Sequence, residues 1–210
     1  VTFVCLSDTH NLHHAITVPQ GDVLLHAGDV SSRGNERQVK NFLNWFSEQP
    51  HRHKIFIAGN HDFYFENTPA SDVAKLIPNN IIYLNDSGTT IENIHIWGSP
   101  IQPWFYDWAF NRQRGVEILK HWELIPKGTD ILMTHGPAYG CLDKTTRGHK
   151  AGCLDLLHTI RKIRPRYSVC GHIHEARGIV EKEGTVFINA SVLDEHYQPI
   201  FEPIVFDFSK

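Results

Sequence analysis

Gly171-His172-Ile173-His174 decides the reading of this chain once it is set beside three short segments upstream: Asp8-Thr9-His10, Gly28-Asp29 and Gly59-Asn60-His61-Asp62. Each segment is small and polar, and each directly follows a run of apolar, strand-like residues. Asp8 and His10 stand two apart, as do His172 and His174, so in extended chain each pair faces one side. Glycine precedes three of the segments and lets the backbone turn sharply and approach a ligand closely. Aspartate, asparagine and histidine together offer the mixed oxygen and nitrogen donors that suit a pair of divalent transition metals.

Working outward, short apolar runs over residues 2–6, 23–26, 54–58, 131–134 and 167–170 read as buried strands. The polar segments after them contain Asp8, Asp29, Asn60, His135 and His172. Val39, Phe42, Leu43 and Phe46 have helical spacing. Further helices are expected over 72–77, stopped by Pro78, and over 116–125 and 153–163. Strands are expected over 81–84, 95–97, 179–181, 186–189 and 203–208. No repeat or low-complexity linker interrupts residues 1–210, which read as one domain. Alternating strands and helices define an α/β fold, with helical crossovers covering the sheets. In such folds ligands collect at the carboxyl ends of strands, where five of these polar segments fall. Taken singly, each has a plainer reading: Asp8 as a helix cap, Gly28-Asp29 as a turn, Asn60 as a left-handed turn residue. Their occurrence together and in order argues for one site.

Bulk composition narrows the function. The formal net charge is −3 and no basic block stands out, so a dedicated nucleic-acid surface is not expected. The basic run from Arg161 to Arg166 reads as a solvated helix end. The four cysteines contain no Cys-x-x-Cys, and no stretch approaches the roughly 18 apolar residues of a membrane span. A cytoplasmic setting without disulfides or membrane contact is the expectation. Histidine is the outlier at 15 copies. His26 reads as a hydrogen-bonded core group, His51 and His53 as surface residues, His13 and His14 as loop residues, and His149 as part of a pocket rim.

The blocks Asp8-x-His10, Gly28-Asp29, Gly59-Asn60-His61-Asp62, His135 and Gly171-His172-x-His174 resemble the signature of the calcineurin-like metallophosphoesterases. Val4-Cys5-Leu6-Ser7-Asp8-Thr9-His10, Thr134-His135-Gly136-Pro137 and Gly171-His172-Ile173-His174-Glu175 resemble its small metallophosphoesterase-domain-containing, class III phosphodiesterase-like branch. The resemblance spans nearly the whole chain. It implies a four-layer α/β/β/α sandwich of two mixed sheets with a dinuclear metal site at the strand ends. It further implies that Asp8, His10, Asp29 and His174 bind one metal, that Asp29, Asn60, His135 and His172 bind the other, and that Asp29 bridges them. His61 would face the scissile phosphate as the catalytic histidine.

Two-metal logic then predicts in-line attack on phosphorus by a metal-bridging hydroxide, with His61 protonating or stabilising the leaving alkoxide. The expected metals are manganese, iron, zinc or nickel, with manganese favoured; the histidine-rich donor set disfavours calcium. The expected substrate is a small phosphodiester such as a cyclic nucleotide or an aryl diester. A phosphomonoesterase, a nuclease and a non-catalytic metal-supported scaffold are the alternatives.

One departure stands out. Many relatives carry an acid three residues after the bridging aspartate to orient the catalytic histidine, and here that place holds Ser32. That leaves the histidine–acid pair open: Asp62 could take over as the orienter, or the pair could be lost. Arg33 could contact phosphate or simply be solvated. The loop from Ser99 to Phe110, with Trp104, Phe105, Tyr106, Trp108 and Phe110, reads either as a wall for an aryl group or base, or as a self-packed loop or subunit contact.

Overall fold

Phe3 and Cys5 face one way and Val4 and Leu6 the other, and all four are fully buried. That two-sided burial of β1 (Thr2–Leu6) is possible only in a strand covered on both faces. The computed structural model, which describes residues 1–209, shows how the cover is built. The chain continues through β2 (Val23–His26), α1 (Glu36–Ser47), β3 (His53–Phe56), α2 (Phe63–Asn67), α3 (Ala70–Leu76), β4 (Ile82–Tyr83), β5 (Ser87–Ile91) and β6 (Ile94–Ser99). It then forms β7 (Gln102–Pro103), β8 (Asn111–Arg112), α4 (Val116–Trp122), β9 (Ile131–Thr134), α5 (Leu154–Ile163) and β10 (Tyr167–Cys170). The last strands are β11 (Gly178–Lys182), β12 (Thr185–Asn189) and β13 (Ile204–Asp207).

One sheet has the order β13-β1-β2-β3-β4, parallel except for β13. The other has the order β11-β12-β10-β9-β6-β5, with a parallel centre and antiparallel β5 and β11 at its edges. The sheets face each other through Phe3, Cys5, Leu25, Ile55 and Ile57 on one side and Ile96, Ile131, Met133, Val169 and Ile188 on the other. On the far face of the first sheet, Val39, Phe42, Leu43 and Phe46 of α1 meet Val4, Leu6, Leu24 and Phe56. On the far face of the second, Ile118, Trp122, Leu156, Leu157 and Ile160 of α4 and α5 join Leu132 and Phe187. The fold is the expected four-layer sandwich of two mixed sheets.

Local chemistry sets the helix ends. Asn35 caps α1 by accepting the Gln38 N–H at 3.0 Å. Arg164 closes α5 in the left-handed conformation, with Arg161 and Lys162 in the last turn where cations complement the dipole. Four elements were not anticipated: α2, which directly follows Asp62; β5, whose polar Ser-Gly-Thr-Thr sequence is tolerated because it is an edge strand; and the two-residue strands β7 and β8, which pair across the aromatic loop. The helix expected over 116–125 stops at Trp122. His51 is a correction: only 2% exposed, it is covered because its Nε2 lies 3.0 Å from the Pro19 carbonyl. His13 is also buried, against Phe42 and Trp45. Among the described residues no helix is long and apolar enough to cross a membrane.

The two sheets are joined at the rim where β1, β2, β3, β9 and β10 end. There the Val192 N–H, beyond β12, donates to the Ser7 carbonyl, beyond β1, at 3.1 Å, and the His172 N–H, beyond β10, donates to the Asp8 carboxylate at 3.0 Å.

Phe42 touches His13, His26, Trp45, Phe46 and Phe56 at once. Phe42→Ala is expected to cost about 3–5 kcal/mol. Urea unfolding should show this as a lower midpoint at unchanged slope.

Candidate metal centre

The loops leaving the strand ends are unusually bent. Asp8, His10, Asp29 and His172 all have positive φ, at 57°, 42°, 53° and 69°. Such conformations cost non-glycine residues energy and persist only where surroundings hold them. Here backbone bonds do so: Asp8 N–H to the Gly28 carbonyl at 2.9 Å, and His10 N–H to the Asp29 carbonyl at 3.0 Å. Gly59 and Gly171 have a steric role. A Cβ on Gly59 would collide with the Asp29 carboxylate, and one on Gly171 with Asp8 and Ser7.

The loops bring the expected residues together. Donor atoms of Asp8, His10 and His174 lie within 4.8 Å of one another, as do those of Asp29, His135 and His172. Asp29 connects the two sets. Its Oδ2 lies 3.3 Å from His135 Nε2 and 3.6 Å from His10 Nε2, while its Oδ1 accepts the His61 backbone N–H at 2.8 Å. Asn60 Oδ1 stands 2.9 Å from His172 Nδ1 and 3.0 Å from His135 Nε2. His174 Nε2 is 3.5 Å from Asp8 Oδ1, and Asp8 accepts the His172 backbone N–H.

The histidine tautomers follow from the partners of the remaining nitrogens. His135 Nδ1 donates to the Ala27 carbonyl and His174 Nδ1 to the Asp194 carbonyl, both at 2.9 Å. A carbonyl only accepts, so Nδ1 carries a proton and Nε2 faces the cluster, the nitrogen that binds a metal once its own proton is displaced. His10 supplies a direct test of fit. It is 5% exposed and neither ring nitrogen has a hydrogen-bond partner, a costly state that a bound cation would relieve. These residues could hold two divalent ions.

Electrostatics separate the histidines. Burial pulls His10 down to about 4 and His172 to about 3. Burial also opposes charge on His135 and His174, but Asp29 outweighs it at His135 and Asp8 at His174, raising each to about 9. Burial alone would raise the Asp8 and Asp29 carboxyls. His174 beside Asp8 and His135 beside Asp29 overcome it and hold both well below the usual carboxylate range.

Asp62 is fully buried and turned away from the His61 ring. Its carboxylate accepts the N–H groups of Val30 at 3.1 Å, Ser31 at 2.9 Å and Gly59 at 2.8 Å, and the Ser31 hydroxyl at 2.6 Å. It therefore ties the Asp29 loop to the Asn60 loop, and its bonds do not take over the orienting of His61. Burial, and then the Asp29 charge, raise it to about 6. The partner of His61 Nδ1 is the Ser32 carbonyl at 2.9 Å, so the backbone of the residue at the acid's place makes the bond that a carboxylate was expected to make. The His61 ring packs edge-on to His10 at 4.6 Å and against Trp108 at 4.3 Å. Arg33 is exposed, its backbone N–H donating to Gln38 Oε1.

Two neighbours, Asp194 and Tyr197, carried no sequence signal, while Phe105 belongs to the aromatic loop already singled out. Asp194 accepts the N–H groups of His196 and Gln198 and so forms a tight turn. That turn presents its own carbonyl to His174 and sets the Tyr197 ring 5.0 Å from His10 and 5.1 Å from His174. Phe105 approaches His172 at 5.6 Å. Trp104 and Tyr106 of the same loop are exposed.

Fold and site together define a metallophosphoesterase. The family pattern of calcineurin-like phosphoesterases matches residues 1–176, and the chain belongs to that family. It is 44% identical over 228 residues to metallophosphoesterase domain-containing protein 1 of Homo sapiens and of Mus musculus, covering 98% of this chain and 70% of theirs. A UPF0046 protein of Caenorhabditis elegans is 35% identical over 219 residues, covering 99% of this chain and 75% of its own. A solved crystal structure shares the fold at TM-score 0.69 and 14% identity, covering 99% of each chain. Family membership implies hydrolase activity and divalent metal binding.

Two measurements probe the centre. At pH 7 the metal-free protein should hold a proton on both His135 and His174, since each is raised to about 9. Metal uptake must displace these protons, so apparent affinity should rise with pH up to about 9 and level off above it. Calorimetry in buffers of differing ionisation enthalpy reads the release. Asp62→Ala should weaken metal binding by roughly 10–100-fold in chelator competition, because the supporting bonds to both ligand loops are lost.

Proposed function

We propose that the chain is a dinuclear metal-dependent phosphodiesterase acting on small diesters, with cyclic nucleotides and aryl phosphodiesters as the substrate class. The observation that carries this reading is the convergence of Asp29 Oδ2 on both His10 and His135, with Asn60 closing the second group. Asp8, His10, Asp29 and His174 would hold one ion and Asp29, Asn60, His135 and His172 the other. Manganese is favoured among manganese, iron, zinc and nickel. When bound, such ions polarise phosphoryl oxygens and supply a water-derived nucleophile near neutral pH.

The chain's own residues do the rest. Two carboxylates among the ligands leave two divalent cations undercompensated, which favours an anionic phosphate ester. With Nδ1 bound to the Ser32 carbonyl, His61 keeps its other nitrogen to hold a proton for the leaving oxygen. Arg33, exposed on the same loop, is a candidate phosphate contact. Trp108 and Tyr197 border the cluster with flat, uncharged rings, which supports a diester bearing a planar group over a compact dianionic monoester. β13 completes the first sheet beyond the family match, so the catalytic domain is proposed to extend over the whole chain. The four free, buried cysteines support a reducing, cytoplasmic setting, and the partner expected is the small substrate itself.

Anaerobic metal analysis coupled to a screen of phosphomonoesters, aryl diesters and cyclic nucleotides tests the reading. Two metals per chain and preferential diester turnover are expected; fully loaded protein inert on the whole panel would overturn it. His61→Ala should reduce turnover of esters with poor leaving groups far more than that of activated aryl esters, and equal losses would remove the acid role.

A further inference from the structure

The His61 ring is held by one hydrogen bond, from Nδ1 to the Ser32 carbonyl. That bond selects the tautomer, because a carbonyl can only accept. A single bond to one ring atom does not fix the plane of an imidazole, whose terminal torsion is broad. The plane is set by the rings packed against it: His10 stands at 81° to it with centroids 4.6 Å apart, and Trp108 alone lies along its face, with centroids 4.3 Å apart and planes 31° from parallel.

Trp108 is itself firmly placed. Its loop runs between β7 and β8, and Asn111 Nδ2 donates to the carbonyls of Phe105 and Tyr106, both at 3.0 Å. Gln102 N–H donates to the Phe110 carbonyl at 3.1 Å and Trp104 N–H to that of Arg112 at 2.8 Å. Ala109 N–H donates to the Asn60 carbonyl at 3.1 Å. This last bond joins the residue after Trp108 to the residue before His61, so the two rings are in register through a single backbone link. Phe105 and Phe63 stand farther along the indole, at 6.5 and 6.1 Å.

We propose that Trp108 is a positioning residue for His61: the Ser32 carbonyl sets the tautomer, the indole face sets the ring plane, and together they aim the imidazole at the leaving oxygen. This rests on the acid role given to His61 above. A misplacement of about 1 Å can cost on the order of 100-fold in rate. Trp108→Ala should therefore lower kcat on an alkyl phosphodiester by roughly 10–100-fold, with KM and turnover of an activated aryl diester changed little. Trp108→Phe should restore most of the loss, since a smaller ring still covers the face. Adding Trp108→Ala to His61→Ala should cost nothing further, because the residue being aimed is gone.

A second readout needs no turnover. Long-range ¹⁵N–¹H spectra of the metal-free protein should show one His61 tautomer, protonated on Nδ1, in the wild type and in Trp108→Phe, and averaged signals in Trp108→Ala. Equal losses on both ester classes, a further loss in the double variant, or an unchanged ordered His61 in Trp108→Ala would overturn the assignment. If His61→Ala shows leaving-group dependence and Trp108→Ala does not, this inference alone fails. If His61→Ala shows none, the acid role fails and takes the inference with it.

Discussion

The carboxylate of Asp29 is the constraint on which the rest depends. It is 2% exposed and its two oxygens serve separate partners, one the His61 backbone and the other the ring nitrogens of His10 and His135. Burying such a charge costs several kcal/mol unless it is paired and hydrogen-bonded. Its compensation comes from β1, β3 and β9 at once, so the site exists only when both sheets are assembled. A second fully buried carboxylate, Asp62, lies behind it and binds the loops together. The two acids repel, and the Asp29 charge helps to raise Asp62. Separate partners offset this: backbone N–H groups and the Ser31 hydroxyl for Asp62, imidazoles and the His61 N–H for Asp29.

The bent loops extend the same logic. Four ligand-bearing positions adopt left-handed backbone that ordinary residues avoid, and bonds between strand-end loops, with the His172 N–H reaching Asp8 across the two sheets, hold them there. Such strain at a functional rim is sustained by the packing around it. The fully buried interior strands supply that packing, which is why the chemistry sits at strand ends and not within the layers. His26 illustrates the division. It sits in β2 against Phe42 and bonds Thr9, and burial lowers it to about 3, so it is a neutral core group one step behind the ligands.

Much of this was legible beforehand, for a physical reason. Strands buried on both faces leave continuous apolar runs, and β1, β2, β9 and β10 begin and end where those runs do. The ligand-bearing residues were visible because each run stops at glycine or at a polar residue that has no reason to be there structurally. Elements without such a signature were missed. β5 is a polar edge strand, and α2 begins at Phe63, with Asp62 before it making no side-chain cap. His51 looked like a surface residue because burial against Pro19, 32 residues away in sequence, leaves no local trace.

By itself, the sequence determined which side chains could gather and at which strand ends, because residue type and a two-residue spacing decide what a loop can offer a cation. Only the tertiary structure decided what supports them. That His61 is held by the Ser32 carbonyl and Trp108, that Asp62 serves the backbone, and that Asp194 and Tyr197 close the site from the far end of the chain are facts of chain crossing. Backbone carbonyls look the same in every residue, and ring contacts join positions far apart in sequence. Neither can be read until the fold has brought them together.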